Sequence, residues 1–228
     1  MVRQVWRWVL VCALGGIATV GSAQAQQLGF YVGGNYGLSE KDAEKEPFDV
    51  FASQIYDFVG YTARQSSSKL DTKDTAYGFV AGYRFLPNFA VEGGYMELGN
   101  VAYRSTSSGA FGTSASDLAL NFDSSTSGIA VTALGILPIS YRFEVYARAG
   151  ILFSTTDFSI YVTDGIDELR DSFSESSTDY LAGVGAGFGF AEVYTARLEY
   201  DRVFEAGSEE AGGEGDVDVI SLGFTVAF

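Results

Sequence analysis

The 228-residue chain has no histidine, one cysteine and three prolines, and its 14 basic residues face 29 acidic ones for a net charge of −15. Without histidine a serine nucleophile lacks its usual base. Zinc sites of the common Cys and His type are excluded as well. Carboxylate pairs alone can in principle move protons, but the candidates Glu92 and Glu144 have arginines nearby that favour the charged form. No catalytic residue, metal or cofactor is therefore assigned, and no enzyme is expected. So acidic a chain lacks the basic footprint of a nucleic-acid binder.

Long apolar runs are equally scarce. Residues 1–25 hold the main one: Arg3 and Arg7 precede an apolar stretch, and Ala23-Gln24-Ala25 has the small-x-small form of a cleavage site. This reads as a signal peptide cut after Ala25, too short in its apolar part for a spanning helix of about 20 residues. A lipoprotein signal at Cys12 fits poorly, because Val9, Leu10 and Val11 before it are not small. Its removal takes away Cys12, Trp6, Trp8 and two basic residues, leaving 12 basic against 29 acidic and a net −17. No thiol or disulfide remains, and residues 26–228 have the length of one domain.

What is present is glycine, phenylalanine and tyrosine in alternation. In residues 217–228, Ile220, Leu222, Phe224, Val226 and Phe228 recur at every second position, with small or polar residues between. That is a strand with one apolar face. The same period predicts strands over 28–38, 75–85, 89–100, 117–137, 142–156, 179–190 and 194–203. Strand 117–137 leaves its phase open, since Ile129, Val131 and Ala133 alternate with Ala130, Leu134 and Ile136. The glycines 183, 185, 187 and 189 alternate too strictly for a nucleotide loop and read as one strand face. Short connections at 86–88, 138–141 and 191–193 alternate with long polar ones at 39–74, 103–116, 164–177 and 204–216. Within the first of these, Pro47, Phe48, Phe51, Ile55, Phe58 and Val59 have helical spacing, predicting one helix over 47–62 that packs on a barrel mouth or docks a partner.

Eight strands whose apolar faces have no water-filled alternative predict an all-β, eight-stranded antiparallel up-and-down transmembrane barrel with short periplasmic turns and four long extracellular loops. Aromatics beside the short turns (Phe30, Phe85, Phe89, Phe143, Phe190, Tyr194, Phe228) and beside the long ones (Tyr36, Tyr77, Tyr95, Phe153, Tyr180, Tyr200) form the two belts such a barrel needs. Glu97, Arg202 and Asp218 fall outward beyond the apolar band. With this phase Arg84, Glu92, Glu144, Arg148, Arg197 and Glu199 point inward, with Asp201 near the outer end. Buried charges need partners, so these predict a salt-bridged lumen, with Arg84 and Glu92 as diagonal neighbours. The other reading is a gate or narrow path in which pairs exchange. Asp164, Asp167, Glu168 and Asp171 read as solvated loop charge, with weak calcium binding the alternative.

The segment TAYGFVAGYRFLPNFAVEGGYMELG resembles the second hairpin of the OmpA-like transmembrane domain family, and the terminal strand ending in Phe228 resembles the assembly signal of outer-membrane barrels. The resemblance covers residues 28–228. It implies export to the outer membrane of a Gram-negative bacterium, contact with lipid and lipopolysaccharide, and reading of Leu222, Phe224, Val226 and Phe228 by the barrel-assembly machinery. It implies a charged, blocked lumen. A peptidoglycan-binding domain beyond the barrel is not expected. The expected function is structural, or surface interaction with an extracellular ligand through the loops; the alternative is a small pore for ions or small solutes.

Overall fold

The computed structural model describes residues 28–190, 192–207 and 215–228. The signal peptide read at 1–25 lies outside the described residues. Among the described residues, nine strands and one helix follow in the order β1 (Gly29–Lys41), α1 (Lys45–Phe58), β2 (Tyr61–Asp71), β3 (Lys73–Leu86), β4 (Phe89–Phe111), β5 (Ser114–Pro138), β6 (Phe143–Thr163), β7 (Glu168–Gly189), β8 (Tyr194–Ala206) and β9 (Gly215–Ala227). All pair antiparallel. Eight of them close a ring, β1-β3-β4-β5-β6-β7-β8-β9 and back to β1, sealed by the β1–β9 register Tyr31↔Ala227 and the β4–β5 register Phe89↔Gly135. A closed ring leaves no backbone donor or acceptor facing lipid within the bilayer.

The expected faces hold. Phe30, Tyr36, Phe79, Phe153, Tyr180, Leu222 and Phe228 are exposed outward, as lipid-facing residues must be. On β5 the open phase resolves: Ile129 and Val131 face out, while Ala130, Leu134 and Ile136 are buried. Pro87-Asn88 lies between β3 and β4 and 139–142 between β5 and β6, while β7 ends at Gly189 and β8 begins at Tyr194.

The strands run longer than their apolar bands predict. A tilted strand crosses a bilayer in about 9–11 residues, whereas β4, β5, β6 and β7 have 23, 25, 21 and 22. Their excess of roughly ten residues amounts to about 33 Å of strand. The stretches 103–116 and 164–177, expected as loops, are therefore mostly sheet. Tight turns at Gly112, φ +59°, and around Gly165, φ +87°, join their tips. These left-handed positions suit glycine. The polar stretch 61–71, also expected as loop, is β2, which continues the line of β3 and pairs with the upper half of β4 from Tyr61↔Phe111 to Asp71↔Ala102. Beyond the membrane, five strands, β2-β4-β5-β6-β7, thus rise as an open sheet above a ring whose other four strands, β1, β3, β8 and β9, have their outer ends at 41, 73, 206 and 215.

Helix α1 fills the inner face of that sheet. Pro47 occupies its first turn, where no intrahelical donor is lost, and Glu46 complements the helix dipole. Gly60, φ +73°, ends it, with its N–H on the Asp57 carbonyl at 3.0 Å. The buried seam is Phe48, Ala52 and Tyr56 at four-residue spacing. Phe58, read as part of the apolar face, is 88% exposed. The seam packs on Tyr103, Leu118, Leu120, Phe122, Phe158 and Val162. Those on β5 and β6 are even-numbered and continue the inward phase of the barrel wall. The Phe48 ring stacks on Tyr103 at 5.5 Å and tilts against Phe122 at 5.6 Å.

Candidate functional site

The period of two brings the six expected charges to one place. Arg84, Glu92, Glu144, Arg148, Arg197 and Glu199 all lie inside the ring and are at most 8% exposed. Asp201, expected near the outer end, is a full member at 1%. Arg197 pairs with Glu92 at 2.6 Å and Glu199 at 2.7 Å. Arg148 holds Asp201 through Nε at 2.6 Å and its terminal nitrogen, and lies 3.6 Å from both Glu92 and Glu199. Arg84 and Glu92 are diagonal neighbours, Arg84 facing Ala90 and Glu92 facing Gly82. The ion pair that Arg84 makes is with Glu144 on β6, at 2.9 Å, and it also donates to the Pro87 carbonyl near the short turns.

Three further polar side chains complete the cluster. Tyr31 donates to Glu92 at 2.7 Å and Tyr146 to Glu199 at 2.6 Å; Arg197 Nε donates to the Tyr146 hydroxyl at 2.7 Å, and Asn35 reaches Glu199 at 3.4 Å. Tyr31 and Asn35 alternate with the outward Phe30 and Tyr36 on β1, and Tyr146 has the same inward phase as Glu144 and Arg148. Every inward carboxylate named so far is ion-paired to an arginine, which suits a structural network better than a free acid–base group.

The glycines opposite these side chains make the room. Gly183 faces Arg148 and Asp201, Gly187 faces Glu144 and Arg197, and Gly185 faces Tyr146 and Glu199. A Cβ on Gly185 would sit 2.5 Å from the Tyr146 hydroxyl oxygen. The alternating glycines of β7 are thus the hollow side of a packed lumen.

Above the charges, towards the extension, lies a different layer. Ala76, Met96, Leu98, Ala130, Leu152, Leu181, Val203, Ala206, Val217 and Val219 pack into one buried cluster drawn from seven of the eight ring strands. Above it again come polar side chains, with Thr126 and Thr156 3.0 Å apart and Ser154 on Asp179 at 2.6 Å. The core beneath α1 follows. Cavities beside the charge network are small, about 60 Å³ between Arg84, Glu144 and Arg197 and about 30 Å³ beside Asn35 and Arg148.

A larger, open cleft of about 520 Å³ lies on the extension itself, lined by Asn121, Asp123, Ser159, Tyr161, Arg170 and Ser172 among others. The Arg170 guanidinium lies 4.8 Å from the centre of the Tyr161 ring, and Arg104 pairs with Asp123 at 2.7 Å. In the nearby turn, Asp164 accepts from the backbone N–H of Ile166 and Asp167 at 2.9 and 2.8 Å, and these bonds hold its carboxyl below the usual range. Among the described residues no group of three His, Cys, Asp or Glu comes together to hold a metal ion.

A closed ring of eight antiparallel strands, with an apolar outer band and a polar interior, defines an outer-membrane β-barrel protein. The chain belongs to the OmpA-like transmembrane domain family, whose model matches residues 25–228. Its place is the outer membrane. It is 25% identical over 221 residues to outer membrane protein A of Yersinia pseudotuberculosis serotype I (strain IP32953), covering 96% of this chain and 54% of the relative. The chain thus spans about half the length of that curated relative. Among solved structures it is similar to the N-terminal β-barrel domain of Pseudomonas aeruginosa OprF, at 14% identity and a TM-score of 0.40, covering 88% of this chain and 98% of that one. It is similar also to the attachment invasion locus protein Ail of Yersinia pestis, at 16% identity and 0.39, covering 89% and 100%.

Proposed function

We propose that the barrel is a sealed pedestal and that the protein works through the sheet and helix it holds outside the membrane, as a surface-interaction protein. The observation that carries this reading is the extension: four strands outrun the bilayer and, with β2 and α1, build a core of their own. A barrel that served only as a pore would need no such structure. The cleft around Asp123, Tyr161 and Arg170 is the candidate contact surface, with a volume in the range of ligand sites. The inward charges are the structural core of the pedestal, and no catalytic role is assigned to them. Export through residues 1–25 and assembly through the terminal strand, with Leu222, Phe224, Val226 and Phe228 facing out, belong to the same reading. So does contact with lipopolysaccharide around the outer belt.

The test is binding by the purified full chain in lipid nanodiscs to arrays of glycans and matrix proteins. It is run beside a triple variant carrying Asp123→Ala, Tyr161→Ala and Arg170→Ala. Binding that the triple variant loses supports the reading. Absence of binding together with reproducible conductance of the wild type in a planar bilayer would favour the small pore.

A further inference from the structure

A charged lumen invites the conclusion that ion pairs block it. Their surroundings argue otherwise. The cluster of Arg84, Arg148, Arg197 and four carboxylates is polar, with cavities of about 60 and 30 Å³ beside it, enough volume for a water or two each. Charged groups that can exchange partners offer a permeating ion replacements for its water shell. The apolar side chains of the layer above offer none. Leu152, Val203 and Ala206 are fully buried, Leu181 is 2% exposed, and Val217 and Val219 are 3% exposed.

Register shows how the layer closes. Leu181 on β7 faces Val203 on β8, and Val203 faces Val217 on β9. Leu152 on β6 faces Ala130 on β5. Met96 and Leu98 on β4 and Ala76 on β3 complete the cluster, and two buried charges border it by register: Asp179 on β7 faces Leu152 and accepts from Ser154 at 2.6 Å, and Lys41 on β1 faces Val217. An apolar constriction excludes ions by dewetting, because none of its atoms can replace a lost hydration shell.

We propose that this apolar septum, rather than the ion pairs beneath it, is the permeability barrier of the barrel, with Leu152 and Leu181 as its determining residues. The ion pairs hold the wall in shape; the septum decides whether anything crosses. The inference concerns the lumen alone and stands whether or not the extension binds a ligand.

Planar-bilayer recording in potassium chloride tests it, on the full chain purified from outer membranes, with wild type, Arg148→Ala and Leu152→Ser/Leu181→Ser compared. Each preparation is first shown to be folded by the mobility difference between boiled and unboiled samples. Wild type and Arg148→Ala are expected to be silent, and the double serine variant to give discrete conductance steps. Should the double variant lose its folded band, Leu152→Ser and Leu181→Ser are recorded singly with the same expectation. A conducting Arg148→Ala, or folded serine variants that stay silent, would overturn the septum. A conducting wild type would overturn both the septum and the sealed-pedestal reading.

Discussion

Single residues inside the ring obey the energetics of buried charge. Arg84 and Glu144 have side chains only 7% and 11% exposed and form an ion pair at 2.9 Å. Removing one member leaves the other's buried charge without its ion-pair partner, at a cost of about 3–5 kcal/mol, while replacing both with apolar side chains of similar volume is close to neutral. Glu144→Gln is therefore expected to lower the urea midpoint in detergent clearly, and Arg84→Met/Glu144→Met to restore most of the loss; equal losses in both would show that the pair adds net stability. Outside the membrane, burial pushes the Tyr103 hydroxyl up to about 12, reinforced by its hydrogen bond to Asp49. The partial burial of Asp49 raises its carboxyl, but hydrogen bonds from Ser68 and Tyr103 and the Lys45 ammonium outweigh that and hold it below 3.8. A lowered carboxylate stabilises above its ordinary pKa and loses this contribution as pH falls through the folded value; a raised tyrosine stabilises below 10 and loses it as pH rises towards 12. The helix is thus expected to loosen below pH 3.8 and again between 10 and 12, seen as faster proteolysis within 45–60, with Tyr103→Phe weakening the alkaline step. These inward charges were legible because the phase of each strand follows from its period. Tyr31 and Tyr146 were not assigned roles, because an aromatic with a hydroxyl on a strand looks alike whether it meets lipid headgroups or a carboxylate.

At the level of elements, α1 was legible from Pro47 and the spacing of Phe48, Phe51 and Ile55, but its target was not. It rests on strand that the sequence presents as loop. The upper halves of β4, β5 and β7 are rich in Ser, Gly, Thr and Asp, residues that favour turns when nothing packs on them. Their alternation is nonetheless there: Leu118, Leu120 and Phe122 keep the same even phase as Ala130, Leu134 and Ile136. Tertiary packing under a helix overrides local composition in such stretches. Because the helix core and the barrel are separate clusters, Phe48→Ala is expected to cost about 3–5 kcal/mol in the extension alone. Protease should then cut at α1 while the boiled and unboiled bands of the barrel stay unchanged; loss of the folded band would mean the two parts unfold together. On β7, Gly185→Val is expected to displace Tyr146 and lower the yield of folded barrel, whereas Val184→Ala, facing lipid, leaves it unaltered.

The whole molecule is an outer-membrane barrel carrying an ordered sheet and helix beyond the bilayer, and its layers succeed one another along a single axis: ion pairs, apolar septum, hydroxyl layer, helix-covered core. The ring was readable from the alternation of short turns with long connections, and from aromatics at both rims. The outer structure was hidden because nothing in one strand says which polar stretch will pair with which. Hydrogen–deuterium exchange of the full chain in nanodiscs, followed at residues 102–125 and 154–178, tests the central claim most directly. Amides there are expected to be protected for minutes to hours, like those of the ring. Exchange within seconds, at the rate of open loops, would contradict it.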